Sequence, residues 1–531
     1  MIRLYKLHFI GGAKQMFFQK VGKIIERSSS AAYAKNSPPL GDDEKLSKDL
    51  SQNIIDMREK LHNTADFVNK EMIICGQKVQ ILTFEGMVST QNLTEALVKP
   101  LTNLKLENPT PQSLLHWIRF EAMLAPEQKE VYTLGELFKA LMSGFVGVLI
   151  DEIDVAVIAG LQGFASRSIS EPDSEVNVRG SREGFVEPIR TNMALIRRRI
   201  KSSRLVFEFA GAGQTSKTDL CLCYISNMIS PEILQDIRSR ISKIDLNMVL
   251  DSGYIQPFLD TNIGSIFSNV GITERPDTVC AKIAEGRVVV LVDGTPFALV
   301  VPYLFSEHFQ TMDDYSHRPF YSSFIRIMKY AAFFFTILLP GAYVAIATFH
   351  PELFPETLLL NIAASEETTP FPLMFEALLI HLIYEIMREA GLRLPRAIGH
   401  AIGIVGGLVI GDAAVKAGLI GSPMVMVVAL TAISSFVVPS LYEPVAILRF
   451  LFIVIGGLFG MYGITLVLCI VFVNLCALNA YGVPATSAAS PYKLFGLRDV
   501  FIRASWKTLG KRTLKIQRLP GSEVGGKGGS L

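Results

Sequence analysis

The sequence predicts a soluble region of two small α/β units followed by an all-α polytopic transmembrane domain, and three observations carry that expectation. The chain has 531 residues, half of them hydrophobic, yet only 19% are charged, against about a quarter in soluble proteins. Charges of both signs recur every few residues up to about position 325, and beyond it come uncharged runs of 20 residues (330–349), 26 residues (417–442) and 43 residues (450–492). A helix needs about 20 apolar residues to cross a bilayer core, because every backbone amide must be satisfied internally. Before residue 325, short β-branched runs alternate with helical periodicity, the pattern of α/β units.

The elements follow in order. Residues 1–44 form a basic segment whose apolar stretches are broken by Lys6, Lys14 and Lys20, so no signal-peptide core is present. A flexible tail is expected there, with a helix lying on anionic lipid as the alternative. The first α/β unit occupies 45–162. Leu46, Leu50, Ile54, Met57 and Leu61 recur at spacings of three and four, predicting a helix over 45–70. Strands follow at 72–75, 79–83, 145–150 and 155–158, the last two flanking the acidic turn Asp151–Asp154.

Residues 163–185, rich in Ser, Gly, Glu and Arg, read as a linker. The second unit, 186–322, opens with a basic helix at 186–201 and continues through strands at 205–209 and 219–225 and a helix at 231–244. Strands 287–292 and 297–301 are joined by Asp293-Gly294-Thr295-Pro296, and Asp-Gly between β-branched runs signals a hairpin.

The membrane domain spans 323–485, with apolar segments at 326–349, 372–390, 397–420, 423–445 and 449–480, before a basic tail at 486–531. Arg326 and Lys329 precede the first segment, Arg388, Arg393 and Arg396 follow the second, and the intervening loop 350–372 carries four glutamates and no Lys or Arg. That asymmetry places both ends of the chain in the cytoplasm. Five segments give an odd count, so either one is re-entrant or interfacial or the last is a folded pair.

Ionisable residues inside a membrane domain mark candidate sites, because exposing them to lipid is costly. On the helical projection of 372–390, His381, Glu385 and Arg388 share one stripe while Glu376 lies nearly opposite. Glu376, His381 and Glu385 are the candidate pore-lining groups, with Arg388, Asp412 and Asn474 as further polar candidates; Asp412 and Lys416 also fit an i,i+4 pair at the outer interface. Gly399, Gly403, Gly407 and Gly411 repeat every four residues, as do Gly456 and Gly460, a spacing that permits close helix approach. Pro340-Gly341 and Pro439 are expected to kink their segments.

Several function classes are disfavoured. A net charge of +2 is far from a nucleic-acid binder. The six cysteines form no CxxC pair, and no HExxH or GxSxG motif occurs, so no enzyme activity, cofactor or metal is expected. His308 and His317 flank Asp313 and Asp314 too loosely for a metal set. Gly211–Thr218 superficially resembles a phosphate loop, but Ser216 stands where glycine must precede the lysine and a strand follows, so a strand-to-strand turn is expected. The arginine-rich run around Arg179 and Arg197–Arg199 offers phosphate or lipid-head contacts, while Glu183 and Glu187 favour internal ion pairs at a joint between units or subunits.

Five stretches together resemble the A subunits of GerA-type spore germinant receptors. They are Val178–Glu187 continuing to Leu195–Ile200, Thr273–Asp277, Gly286–Pro302, Arg388–Pro395 and Val405–Val415. The resemblance singles out Arg179, Gly180, Arg182, Glu183, Arg197, Arg198, Arg199, Glu274, Arg275, Asp277, Asp293 and Gly294 as signature residues. Ser181, Phe267-Ser268 and Asp412 depart from the family's usual residues. The family implies a subunit of a nutrient sensor in the inner membrane of bacterial spores. Its partners would be a transporter-like B subunit and a lipoprotein C subunit, and oligomers of A would form a ligand-gated cation channel. The stage V sporulation AF proteins share the same body. A secondary transporter and a non-conducting scaffold are the competing readings, although no internal membrane repeat of the transporter kind is visible.

Overall fold

The computed structural model describes residues 44–106, 108–122, 127–163, 172, 175, 177–393, 411–487, 489–491, 496–510 and 515–524. The basic amino-terminal segment, Gly399, Gly403 and Gly407 therefore lie outside the described residues.

The first unit begins with helix α1 (Leu50–Lys60), capped by the Asp49 side chain on the amides of Ser51 and Gln52. It is shorter than the expected 45–70. His62 and Asn63 both take positive φ, ending the helix, and Phe67–Ile74 is strand β1. A tight turn at Cys75 and Gly76, both at positive φ, returns the chain as β2 (Gln77–Phe84). Then come α2 (Pro111–Phe120), β3 (Gln128–Val131), α3 (Leu134–Leu141), β4 (Val146–Ile150) and β5 (Ala156–Ala159). The second unit has α4 (Ile189–Arg199), β6 (Leu205–Ala212), β7 (Thr218–Ile225), α5 (Pro231–Ser242), β8 (Gly271–Thr273), α6 (Pro276–Ala284), β9 (Val288–Val292) and β10 (Ala298–Val301).

Both sheets are antiparallel and five-stranded, in the orders β1-β2-β4-β5-β3 and β6-β7-β9-β10-β8. The strand order is the same in both, with a helix ahead of the first strand each time, so the second unit repeats the topology of the first. Both sheets are covered on both faces. In the second, Val288, Val290 and Val292 pack with Ile233, Ile237 and Ile241 of α5, while Val289 and Leu291 pack with Met193, Ile196 and Ile283. Burial on both faces explains the unbroken run Val-Val-Val-Leu-Val, which a one-sided strand would interrupt with polar residues. Gly213–Lys217 is the turn between β6 and β7. The basic tail supplies Ile516, Leu519 and Val524 to the core of the second unit, beside Tyr481 and Val483.

One side chain joins the two units. Arg197 is fully buried and donates from Nε and Nη2 to the Asp66 carboxylate at 2.7 and 2.8 Å, and to the carbonyls of Ser202 and Leu205 at 3.0 Å each. Its guanidinium lies between the rings of Phe84 and Phe207, 4.8 and 4.9 Å away. Thr64 and Ala65 of the first unit bond to the backbone of Phe207 across the same seam.

The helical region contains α7 (Pro319–Phe349), α8 (Glu356–Glu366), α9 (Leu373–Arg393), α10 (Ser422–Ser435) and α11 (Tyr442–Ala477). Helix α8 lies within the loop that the sequence showed only as acidic. Pro340 sits inside α7, which runs unbroken through it; the break expected there occurs instead at Gly460 of α11, with φ 62° and ψ −153°. Eight residues of straight helix would separate positions 455 and 463 by about 12 Å, yet a Cβ on Gly463 would sit 3.3 Å from the Ile455 carbonyl oxygen. The chain therefore doubles back at Gly460. Both ends of α11 confirm it, since Ser440 hydroxyl bonds His308 and Asn474 bonds Ser265, both of the second unit. Among the described residues, two helical stretches are long and apolar enough to cross a membrane, 319–349 and 439–477.

Removing Arg197 leaves the Asp66 charge buried without its partner. Arg197→Ala is expected to destabilise the protein by roughly 3–5 kcal/mol. Thermal unfolding in detergent should show a large drop in midpoint, whereas Arg179→Ala, at an exposed position, should leave the midpoint within error.

Candidate functional site

The signature residues, scattered over more than a hundred positions, converge at the start of the second unit. Glu183 accepts from Arg198 and Arg199 at 2.5 Å each, and Arg199 also reaches the Ser181 hydroxyl at 2.8 Å. Partial burial pushes the Glu183 carboxyl up, but the two arginine hydrogen bonds overcome it and hold the group below the usual carboxylate range. Arg275, almost fully buried, forks onto Asp277 at 2.6 and 3.1 Å and donates to the carbonyls of Glu175 and Ser181. The Glu274 carbonyl accepts from the Phe185 amide. Asp293, in the hairpin turn, accepts from the Ile189 amide at the start of α4, and Gly294, at φ 86°, donates to the Glu187 carbonyl. The amides of Val178 and Arg179 both donate to the Asp313 carboxylate, at 3.2 and 3.1 Å, which ties the segment containing Gly180 and Arg182 to the entry of α7. Asp313 is thereby a linker anchor, and His317 meets the Tyr321 ring edge-to-face at 5.2 Å.

A second cluster fixes the base of the helices. Glu307 is buried and accepts from Lys282 at 2.7 Å, from the Leu304 amide at 2.9 Å and from Arg287. Burial opposes its charge, but Arg287 and Lys282 together hold the carboxyl below its ordinary value. Asp314 meets Arg326 at 3.1 Å and Lys329 at 3.2 Å, and Arg326 also reaches the side chain and carbonyl of Asp499 from the tail. Arg326 and Lys329, two of the cations that the sequence offered as topology signals, are thus enclosed and paired, whereas Arg393 is exposed. Beside this cluster a cavity of about 750 Å³ opens between the second unit and 437–444, lined by Thr273, Lys282, Tyr303, His308, Ser440 and Tyr442 among others.

The third cluster lies among the helices. Glu385 of α9 accepts from Tyr442 at 2.6 Å and from Arg449 of α11, and forms an ion pair with Arg388 at 3.2 Å. Arg388 stacks over the Tyr442 ring at 3.1 Å. Sequence reasoning missed Arg449, the fully buried partner. It borders the last uncharged run, so a search for a cation facing Glu385 could have found it. Glu376 and His381 are fully buried. Glu376 accepts from the Gly421 amide at 2.6 Å, and His381 Nδ1 lies 2.9 Å from the Ala377 carbonyl of its own helix. Asp412 pairs with Lys416 at 2.6 Å, both exposed. Asn474 accepts from the Ser265 hydroxyl of the second unit at 2.9 Å.

The glycines divide by role. Gly456 faces Gly341 of α7, and a Cβ at either would sit 2.4 Å from a backbone oxygen of the other helix. Gly411 is in ordinary contact with Val425, and Gly460 both makes the reversal and lies against Phe349 of α7, where a Cβ would sit 3.1 Å from the ring.

Comparison with known proteins follows from this geometry. The family model described as Bacillus/Clostridium GerA spore germination protein matches residues 56–514. The chain is 37% identical to spore germination protein KA of Bacillus subtilis over 478 residues, covering 89% of this chain and 88% of the relative. It is 34% identical to spore germination protein A1 of the same organism over 460 residues, covering 86% and 93%. An uncharacterized membrane protein of Bacillus subtilis, YfkQ, is 35% identical over 477 residues, covering 88% and 92%. The crystal structure of the N-terminal domain of the A subunit of the Bacillus megaterium spore germinant receptor GerK3 aligns at 29% identity and a TM-score of 0.39, covering 49% of this chain and 98% of that one.

Two measurements test these assignments. Gly341→Ala forces a methyl onto the Phe452 carbonyl, and a loss of roughly 2–3 kcal/mol is expected from such overpacking. The melting midpoint in detergent should fall clearly, while Gly391→Ala, with nothing within 4 Å, should not lower it. The second concerns His308, whose imidazole burial pushes down from 6.5 to about 4. The folded state keeps it neutral while the unfolded chain protonates it, so its contribution is intact above about pH 6.5 and is lost as pH falls towards about 4. The unfolding midpoint should therefore drop between about pH 6.5 and 5, and His308→Gln should flatten that part of the profile.

Proposed function

The chain belongs to the GerA family of spore germination proteins, and we propose that, as an A subunit of that family, it is the membrane subunit of a nutrient germinant receptor, assembling with further copies into a ligand-gated cation channel. The observation that carries the reading is the distribution of polarity in the helical region. Glu376, His381, Arg326 and Arg449 are enclosed, whereas the exposed side chains of α7 and α11 include Phe324, Ile327, Phe335, Leu451, Leu458, Leu466 and Ile470. Lipid outside and charge inside is the arrangement of an embedded bundle with a polar interior.

The reversal at Gly460 supports a multi-pass topology with both ends on the cytoplasmic side. Each half of α11 is about 17–18 residues, or roughly 27 Å. Counting the last apolar segment as a pair makes the number of crossings even. The location is the inner membrane of the spore. The partners are a transporter-like B subunit, which holds the germinant, and a lipoprotein C subunit; these rest on the family resemblance.

Gating needs two arrangements that the nutrient-loaded partner distinguishes. Protein interiors are close-packed, so the cavity at the base of the helices marks a joint able to change its packing. The second unit grips α7 through Asp314, the tail does so through Asp499, and the second unit reaches the approach to α11 through His308 and Ser440. Movement there would be felt by Tyr442 and Arg449, and through them by Glu385. We assign the Glu385–Arg449–Arg388 group the role of setting the closed–open balance.

The test is conductance of the A subunit reconstituted with its partners in planar bilayers, with and without nutrient. Glu385→Ala is expected to change the nutrient concentration for half-maximal conductance by about tenfold, equivalent to about 1.4 kcal/mol. Unchanged conductance and response would remove Glu385 from the gate, and a wild-type complex that never conducts would remove the channel.

A further inference from the structure

The charge-free run places the start of the first membrane segment near residue 330, but the exposed surface of α7 begins lower. Phe320, Phe324 and Ile327 are 92%, 64% and 54% exposed, and Tyr321, Met328 and Ala331 complete the same outward stripe. The polar residues of these turns, Ser322, Arg326 and Lys329, all face inward and are buried. A helix whose apolar face is outward and whose charges are inward is inverted relative to a helix on a soluble protein. From Phe320 to Phe349 it is about 45 Å long, the thickness of a bilayer with its headgroup layers and not of the hydrocarbon alone.

The carboxyl-terminal segment lies level with that extension. The Phe501 ring meets Tyr330 at 4.9 Å, the Arg503 amide donates to the Ser323 hydroxyl at 3.0 Å, and the Trp506 indole N–H donates to the Tyr315 carbonyl at 3.1 Å. Arg503 is buried between Tyr315 and Trp506. Its neighbours point the other way, Ile502 and Trp506 each being 60% exposed. Lys507 and Arg318 are exposed at the same level. An indole with its N–H satisfied by protein and its ring outward, next to cations and below an apolar stripe, has the chemistry of the membrane–water interface.

We propose that Phe501–Trp506 and the first turns of α7 form one continuous lipid-contacting face, so that the headgroup layer of an anionic phospholipid bilayer reaches Phe320 and Trp506. The segment is an in-plane anchor: it holds the tail, and through Arg326 and Asp499 the second unit, at a fixed height against the membrane. This rests on the reading that the helical region is embedded in a bilayer.

The chain has two tryptophans, Trp117 in the first unit and Trp506, so full-length Trp117→Phe protein leaves Trp506 as the reporter. It would be reconstituted in vesicles of phosphatidylglycerol and phosphatidylethanolamine, with a spin label carried near the headgroup or deep in the acyl chain. About twofold quenching by the headgroup-level label, weaker quenching by the deep label and little quenching by aqueous iodide are expected for an interfacial indole. Quenching by iodide without quenching by either lipid would overturn the anchor, as would shielding from all quenchers, which would put a second copy of the chain on this face. Alkaline carbonate extraction separates the premises. A protein that stays with the vesicles while Trp506 answers only to iodide loses the anchor alone, and one that washes off loses the membrane reading as well.

Discussion

A buried guanidinium cannot shed its proton, so enclosing one commits the surrounding structure to neutralise it and to satisfy its donors. Arg197, Arg326, Arg449 and Arg503 are among the largest side chains in this protein that are fully enclosed. Each sits on a seam. Arg197 holds the two α/β units together, Arg326 holds the tail and the second unit against the first long helix, Arg449 links α11 to α9, and Arg503 fastens the tail to the approach of α7. Carboxylates face Arg197, Arg326 and Arg449 across these seams, and Arg503 is held by the Tyr315 carbonyl and the rings of Tyr315 and Trp506.

That arrangement sets what can move. The seam at Arg197 is dry, flanked by two phenylalanine rings and completed by backbone hydrogen bonds, which makes the paired units one stiff body. The seam at the base of the helices is different. Its ion pairs border a cavity, and the second unit meets the 439–477 stretch through His308 with Ser440 at one end and Ser265 with Asn474 at the other. A signal reaching the soluble region would pass as rigid-body motion to that boundary, where the structure has room to yield.

Much of the soluble half was legible because its signals are local. Val288–Val292 must be a strand covered on both sides, Asp293-Gly294 must turn, and Gly211–Thr218 cannot cradle a phosphate with Ser216 in place of glycine. Strands β3 and β8 were not legible: Gln128–Val131 is largely polar, and Gly271–Thr273 is three residues long, so neither carries a periodicity. Helix α1 was overextended because the apolar spacing gives no warning of the positive-φ pair His62 and Asn63. In the helical half the stripe of His381, Glu385 and Arg388 was visible, but its partner was not, because Arg449 lies 64 positions from Glu385 and only folding brings them together.

The sequence by itself determined the division of the chain into an α/β half and an apolar helical half, the location of the hairpin turns, and the family, since each depends on residue types within a short window. Only the tertiary structure decided that the last apolar segment doubles back at Gly460, that Arg326 and Lys329 of α7 point inward, and that the tail belongs to the core of the second unit. Those outcomes turn on which distant groups neutralise a buried charge or fill a packing gap, and no local pattern records a partner a hundred residues away.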